Sequence, residues 1–359
     1  LGIYSLDGYL HVRCFTKDSI NVKLHNISFK EKSGLELDGL STTFISNKES
    51  MSFNNFVAKL PNSRLSLNDA TFQHDNYEAF KDFVNDVYFN VEIAPSKVSL
   101  RDLAAFVPAF QKIDEEINLE GDISGRVSKL LFTGMNVRYG ENTSLTGSFM
   151  IEGLPKIKET RFDAKINEIC TNVNDIKTIA NTFSKKEIKL PKMMDNIGRI
   201  CYTGKAKGDP NNLIVSGSLR SDIGTITNNI TIKSSDANHS GFIIKGSVES
   251  NSIKLAKLLG EKSGFGDACF KMEVDINKQL SGDLHLDADG IICSLTYKEY
   301  TYNDIILKGD FKNKAFNGNI TMNDENVKFG SNGFIDFNKE KPTFRFQAFA
   351  LTTSISWRK

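Results

Sequence analysis

Five histidines, His11, His25, His74, His239 and His285, are the first residues to test for chemistry, because imidazole is the commonest metal ligand and general base. They are scattered, with no H-x-H or H-E-x-x-H spacing that would place two ring nitrogens on one ion, so they read as surface or strand-face residues. The run from Gly260 to Asp267 (GEKSGFGD) is glycine-rich. It lacks the Lys-Ser/Thr ending of a phosphate loop and follows a helical pattern instead of preceding one, which makes it a connector. Asp283, Asp287 and Asp289-Gly290 have calcium-loop residue types but sit on an alternating strand without a closing Glu, and read as its solvated face. The cysteines, Cys14, Cys170, Cys201, Cys269 and Cys293, are far apart and contain no C-x-x-C pair. Isolated, half-buried thiols are the expectation, with one or two bridges open in an oxidising compartment. Five N-x-S/T matches, such as Asn142-Thr143-Ser144, arise readily in a chain this rich in Asn, Ser and Thr. No catalytic residue, metal ligand or cofactor is expected, and the chain does not read as an enzyme.

The elements that carry these residues have one pattern. Period-two alternation, which sorts apolar and polar side chains onto opposite faces of a strand, recurs almost from end to end. Phe270, Met272, Val274 and Ile276 oppose Cys269, Lys271, Glu273 and Asp275; Leu284 and Leu286 oppose Asp283, His285 and Asp287. Ile305, Leu307 and Phe311 follow, then Ile320 and Met322, Val327 and Phe329, and Ile335 and Phe337. Earlier runs are Val87, Phe89, Val91 and Ile93; Ile117, Leu119 and Ile123; Leu145, Phe149 and Ile151; and Leu213, Val215 and Leu219. Turn formers separate them, among them Asp7-Gly8, Ser281-Gly282 and Ser331-Asn332-Gly333. Short strands joined by tight turns make an antiparallel meander of about twenty-two strands.

Three segments break the alternation: Ser99 to Phe110, Asn174 to Phe183 and Asn251 to Leu259. Each opens with a Ser or Asn able to cap a first turn, and the starts are 75 and 77 residues apart. Asp75 to Val84 fits a shorter helix and a strand about equally well. The implied organisation is 1–98, then repeat units at 99–173 and 174–250, each a helix plus about four strands, and at 251–359, a helix plus strands to the end of the segment. An even strand number returns the chain to the edge it left, so the helices should share one rim.

Charge is nearly balanced, 45 Lys and Arg against 44 Asp and Glu, which excludes a basic nucleic-acid-binding surface. No stretch approaches the roughly 18 apolar residues of a membrane-spanning helix. The chain begins at Leu1 with neither initiator methionine nor signal peptide, and reads as a segment of a longer protein. An apolar sheet face must be covered. A sandwich does not suit helices at 75-residue intervals. An outer-membrane barrel wants aromatic girdles, and there are one Trp and nine Tyr against 26 Phe. The remaining solution, the expected fold class, is all-β: an elongated antiparallel meander coiled into an open hydrophobic groove (a β-taco), with short helices about every 75 residues. Its lining set is Val87, Phe89, Val91, Ile117, Leu119, Leu145, Phe149, Ile151, Leu213, Val215, Phe270, Met272, Val274, Leu284, Leu286, Ile305, Leu307, Phe311, Ile320, Met322, Val327, Phe329, Ile335 and Phe337.

The stretch from Phe29 to Phe72 resembles the periplasmic part of TamB-type proteins of Bacteroidota, within the AsmA-like superfamily. The residues that carry the likeness there are Lys32-Ser33-Gly34-Leu35-Glu36-Leu37 and Leu60-Pro61-Asn62-Ser63-Arg64-Leu65-Ser66-Leu67. Val98-Ser99-Leu100-Arg101-Asp102-Leu103, Asn118-Leu119-Glu120-Gly121 and Ser144 to Pro155 add to it; the likeness is clearest from about 20 to 180. These are turn and strand patterns and carry no chemistry. The resemblance implies a periplasmic segment of a protein anchored in the inner membrane by a helix outside this chain, working with an Omp85-type outer-membrane protein. Its implied role is a bridge that carries phospholipid acyl chains between the membranes and supports outer-membrane assembly. A structural β-solenoid or adhesin, or a scaffold for outer-membrane protein insertion, is the alternative.

Overall fold

In the computed structural model the described residues are 3–31, 36–102, 115–156, 159–183, 192–235, 241–279, 284–312, 315–336 and 343–351. The chain divides into two compact units, Leu1–Lys189 and Leu190–Lys359. The first unit holds ten strands: β1 (Ile3–Phe15), β2 (Ser19–Glu31), β3 (Glu36–Asn47), β4 (Ser50–Lys59), β5 (Arg64–Gln73), β6 (Tyr88–Ser99), β7 (Glu116–Arg126), β8 (Lys129–Tyr139), β9 (Thr143–Glu152) and β10 (Arg161–Thr171). The second holds ten more: β11 (Ile200–Asp209), β12 (Asn212–Ser221), β13 (Gly224–Ser234), β14 (Gly241–Lys254), β15 (Phe265–Gln279), β16 (Leu284–Tyr297), β17 (Tyr300–Lys312), β18 (Ala315–Asn323), β19 (Lys328–Asp336) and β20 (Thr343–Leu351). Within each unit every strand pairs antiparallel with the next in sequence, and the sheet is open, not closed into a barrel. The chain is all-β, as its alternation requires.

Helices are few and short. A 3-10 turn, Tyr77–Asp82, runs into α1 (Phe83–Asp86), so helical structure forms at the segment where the sequence fitted helix and strand equally. Asn76 caps it, its side-chain oxygen accepting from the Glu78 amide at 2.8 Å. The helix expected from Asn174 is α2 (Val173–Phe183); its cap is Asn172, whose Oδ1 accepts from the Asp175 amide at 2.8 Å. The one expected from Asn251 is shorter than the pattern suggests: β14 extends through Lys254, and only Leu255–Leu259 forms α3. Of Ser99 to Phe110, Ser99 ends β6 and the part beyond Asp102 lies outside the described residues.

Strand parity assigns the helices of the first unit to two ends, which corrects the single-rim expectation for its shorter helix. The 3-10 turn and α1 follow the odd strand β5, whereas Ser99–Asp102 and α2 follow the even strands β6 and β10. Four strands, β7 to β10, separate those last two. Cross-links fit this parity. Ser128, in the β7–β8 turn, donates its amide to the Val84 carbonyl at 3.1 Å. At the other end Asp102 accepts from the Asn62 amide at 2.9 Å and the Ser63 hydroxyl at 2.6 Å, and the Thr143 hydroxyl donates to Asp175 at 2.7 Å.

Larger apolar side chains are fully buried both within strands, at Ile93, Met135 and Ile305, and at these ends. Val87 is 0% exposed just after α1, and Leu100 and Val173 are buried at the opposite end. In the second unit Ile223 and Ile253 are buried near α3, where Lys257 pairs with Asp222 at 3.4 Å. Along the sheet itself most apolar side chains are half-buried, sheltered by neighbours in their own layer.

Candidate functional site

Antiparallel partners share a face, so register shows which side chains form one surface. In the first unit an unbroken apolar row crosses all ten strands: Val12, Val22, Phe44, Phe53, Ala70, Val91, Ile123, Phe132, Phe149 and Ala164. Beside it run Met51, Phe72, Phe89, Gly125, Leu130, Ile151 and Phe162. Aromatic rings knit the two rows: Phe44 to Phe53 at 5.0 Å between centroids, Phe53 to Phe72 and Phe72 to Phe89 at 6.0 Å, and Phe132 stacked on Phe149 at 4.4 Å. Ile117 pairs with Val98, while Leu119, Val137, Leu145 and Ile169 make a further row on the same face. The opposite face carries Asn54, Asp69, Glu92 and Asp122 in register, with the Asn54 amide donating to Asp69 at 2.9 Å.

The second unit repeats the arrangement. Gly208, Leu213, Ile232, Ile244, Ile276, Leu286, Phe311, Phe316 and Ile335 cross nine strands in one row. The next row is small: Ala206, Val215, Ile230, Gly246, Val274, Ala288, Gly309, Gly318 and Gly333. Beyond it lie Met272, Gly290, Leu307 and Ile320, then Phe270, Ile292, Ile305, Met322 and Phe329. A Cβ on Gly309 would meet the Phe316 ring at 2.7 Å, and one on Gly318 would meet it at 3.0 Å. The glycines therefore give the ring its bed, and the ring replaces the cover they lack.

The opposite face of this unit is largely charged. Asp275, Asp287 and Asp310 face one another across three strands, and Glu273, Asp289 and Lys308 form the adjacent row. Like charges directly opposite repel. Lys245 sits 2.5 Å from Asp275, Lys308 is 2.9 Å from Asp289, and the Asn317 amide donates to Asp310 at 3.3 Å. This face is not uniformly polar, since Ile291 and Ile306 are cross-strand partners on it, 48% and 52% exposed.

Of the alternation-derived set, the residues within strands that are described lie on these two apolar faces, one in each unit. Three others need separate description. Val87 precedes β6 and is sealed beside α1, so it belongs to a small end core and not to the open face, a correction to the parity reading. Val327 is half-buried in the turn before β19, where its carbonyl accepts from the Asp324 amide at 3.1 Å. Phe337 lies outside the described residues, as does Asp283. Leu284, at the start of β16, is 38% exposed.

Phe44, Phe53, Phe72 and Phe132 are central to the first face and were missed by period-two reading. Asn55 has φ 52°, and β4 slips there against β3, between the Thr43–Asn54 and Ser41–Val57 pairs, so that Phe53 and Phe56 share a face despite opposite parity, with ring centroids 6.3 Å apart. Phe rings at spacing three on either side of an Asn are the signal that a bulge has intervened.

The polar residues close turns. Asp324, 1% exposed between β18 and β19, accepts from the Tyr300 hydroxyl at 2.5 Å and from the amides of Asn303 and Asn326 at 3.0 Å. Burial pushes its carboxyl up, but these donors outweigh it and hold the group below the ordinary carboxylate range. The cysteines depart from expectation: Cys170 and Cys201 are buried and disulfide-bonded, while Cys14, Cys269 and Cys293 are free.

Comparison with known proteins returns no match, whether to a family model, a curated protein or a solved structure. Among the described residues no helix is long and apolar enough to cross a membrane.

Proposed function

We propose that this chain is a passive conduit for phospholipid acyl chains, a TamB-like segment that bridges inner and outer membranes through the periplasm. The observation that carries the reading is the row from Val12 to Ala164, ten apolar residues on ten consecutive strands with no polar interruption. An acyl tail of about sixteen carbons loses roughly 12 kcal/mol on entering water, at about 0.8 kcal/mol per methylene. A path of half-buried apolar side chains offers it an environment close to the one it leaves, so no nucleotide or catalytic group is required. Disulfide-bonded Cys170 and Cys201 suit an oxidising compartment such as the periplasm. An anchor in the inner membrane and an Omp85-type partner at the outer membrane complete the proposal, and both rest on the sequence resemblance alone.

The exposed apolar side chains of β1 support a second reading, a scaffold for outer-membrane strands. Leu6, Leu10, Val12 and Phe15 on that strand are all more than half exposed, and such a patch can receive an apolar client segment. A solenoid would stack its coils by parallel pairing, whereas the pairs here are antiparallel between consecutive strands.

Photo-crosslinking separates the readings. With p-benzoylphenylalanine at Val91 on the apolar face and at Glu92 on the polar face, a conduit gives phospholipid adducts at 91 and not at 92. Adducts in equal yield at both positions, or only protein adducts at 91, overturn it.

A further inference from the structure

The thiols of Cys269 and Cys293 take no part in the apolar face or the turns. The β15–β16 hairpin pairs regularly from Lys278 with Leu284 to Phe270 with Ile292; the register then shifts, and Cys269 pairs with Ser294. Cys293 is the extra residue of this bulge, and the Cys269 thiol is hydrogen-bonded to it. Both cysteines are free; Cys293 is exposed and Cys269 half-buried. Cys293 and Ser294 together face Cys269 across this bulge, and the hydrogen bond between the two thiols brings the sulfurs to the close approach that a disulfide requires.

We propose that Cys269 and Cys293 form a cross-strand redox pair, closed to a disulfide by a small-molecule disulfide such as oxidised glutathione and reopened by thiols. The exposed Cys293 gives its proton to solvent, and its thiolate attacks one sulfur of the oxidant. The oxidant's S–S bond breaks, a mixed disulfide forms on Cys293 and one glutathione thiolate leaves. Cys269 then loses its proton and attacks the Cys293 sulfur, expelling the second glutathione thiolate. Two protein thiols have given up two electrons and two protons, and one glutathione disulfide has become two glutathiones.

The order of attack follows from the surroundings. The hydrogen bond to Cys293, then burial, then the neighbouring sulfur's charge push the Cys269 thiol up to about 11, so it keeps its proton while Cys293 is free. Capping Cys293 as a mixed disulfide removes that charge and the thiol partner, which frees Cys269 to act as the resolving thiol. The bond would pin β15 to β16 at the bulge, the point where pairing changes by one residue. A one-residue slip inverts which side chains reach the apolar face, so oxidation would secure the register of Phe270 and Met272.

The test uses the full chain, treated with oxidised glutathione, alkylated and mapped by mass spectrometry without reductant. The expected product joins the Cys269 and Cys293 peptides with no retained glutathione. Cys14, whose thiol donates to the Ser19 carbonyl at 3.8 Å, serves as a lone-thiol control that can form only a mixed disulfide. Cys269→Ser should trap a stable glutathione adduct on Cys293, and Cys269 in Cys293→Ser should be modified more slowly than Cys293 in Cys269→Ser, because Cys269 is half-buried and Cys293 exposed. Wild-type protein carrying unresolved glutathione on Cys293, or both thiols unjoined, overturns the proposal, and this readout stands even where a variant fails to fold.

Discussion

The two units build an apolar face from the same alternation and surface it differently. In the first, phenylalanines from neighbouring strands touch in a chain from Phe44 through Phe53 and Phe72 to Phe89, and again at Phe132 and Phe149. In the second, the central row from Ala206 to Gly333 contains no residue larger than isoleucine, with larger rows on either side. A single-layer sheet has no opposing layer to fill its gaps, so shelter must come sideways. Rings reach about 6 Å to the next strand and shelter one another, whereas a small row leaves a furrow that only a leaning neighbour such as Phe316 can cover. The first face is thereby filled by its own rings, and the second keeps a row of small residues between larger ones.

The contrast is most exposed to a charge placed on the furrow's border. Leu286→Glu should cut phospholipid co-purifying with the chain by at least about tenfold while leaving far-ultraviolet circular dichroism intact, because an unpaired carboxylate interrupts a dry path. Lys308→Glu, on the opposite face, should leave lipid content unchanged. Loss of folding in Leu286→Glu would instead identify a packed core, and normal lipid content would end the conduit reading.

A ring removed from the first unit should matter next. Phe53→Ala deletes contacts to Phe44, Phe56 and Phe72 and should cost about 2–3 kcal/mol in urea unfolding, below the full-core value because the ring is half-buried. In the second unit the reverse change is the damaging one. Gly309→Val should cost about 1–3 kcal/mol by displacing Phe316, since its Cβ would lie 2.6 Å from the Asn317 carbonyl oxygen. If Phe53→Ala is silent and Gly309→Val stabilises, the distinction between ring-filled and small-residue faces is mistaken.

The smallest effect belongs to a turn that serves the second unit alone. Asp324→Asn weakens hydrogen bonds to a charged acceptor and should cost about 1–2 kcal/mol at neutral pH. Because the folded carboxyl titrates below its ordinary value, its contribution is present above the unfolded pKa and lost as pH falls through the depressed one. Stability measured against pH should therefore fall less steeply on the acid side in the variant than in wild type.

Much of this was legible in the chain itself where strands are regular. From Phe270 to Ile276 and from Ile305 to Phe311 the residues that alternation assigns to the apolar face, Phe270, Met272, Val274, Ile276, Ile305, Leu307 and Phe311, all lie on it, because consecutive pleats have nowhere else to point. Legibility failed at bulges. Asn26 and Asn55, both with positive φ, shift parity within β2 and β4, and that shift hid the phenylalanine chain. Asn251 failed as a helix start because pairing with β15 continues through Lys254, and a ladder of backbone hydrogen bonds outweighs the propensity of one turn. The thiol pair was within reach of simple counting. Counting outward from the Lys278–Leu284 pair brings residue 269 to within one place of residue 293, but spacing alone hid this as long as the cysteines were compared in sequence and not across the hairpin.

Nearest-neighbour pairing has a last consequence. Each described strand finds its partners beside it in sequence, so the free energy of either unit approximates a sum of local hairpin terms, like a zipper with independent teeth. Such a ladder closes short loops first and should fold quickly for a β protein, since little chain entropy is lost before each pairing is rewarded. Damage to one hairpin should pass only to the strands that flank it, so amide exchange after a destabilising substitution should rise in the altered strand and its two neighbours and not elsewhere.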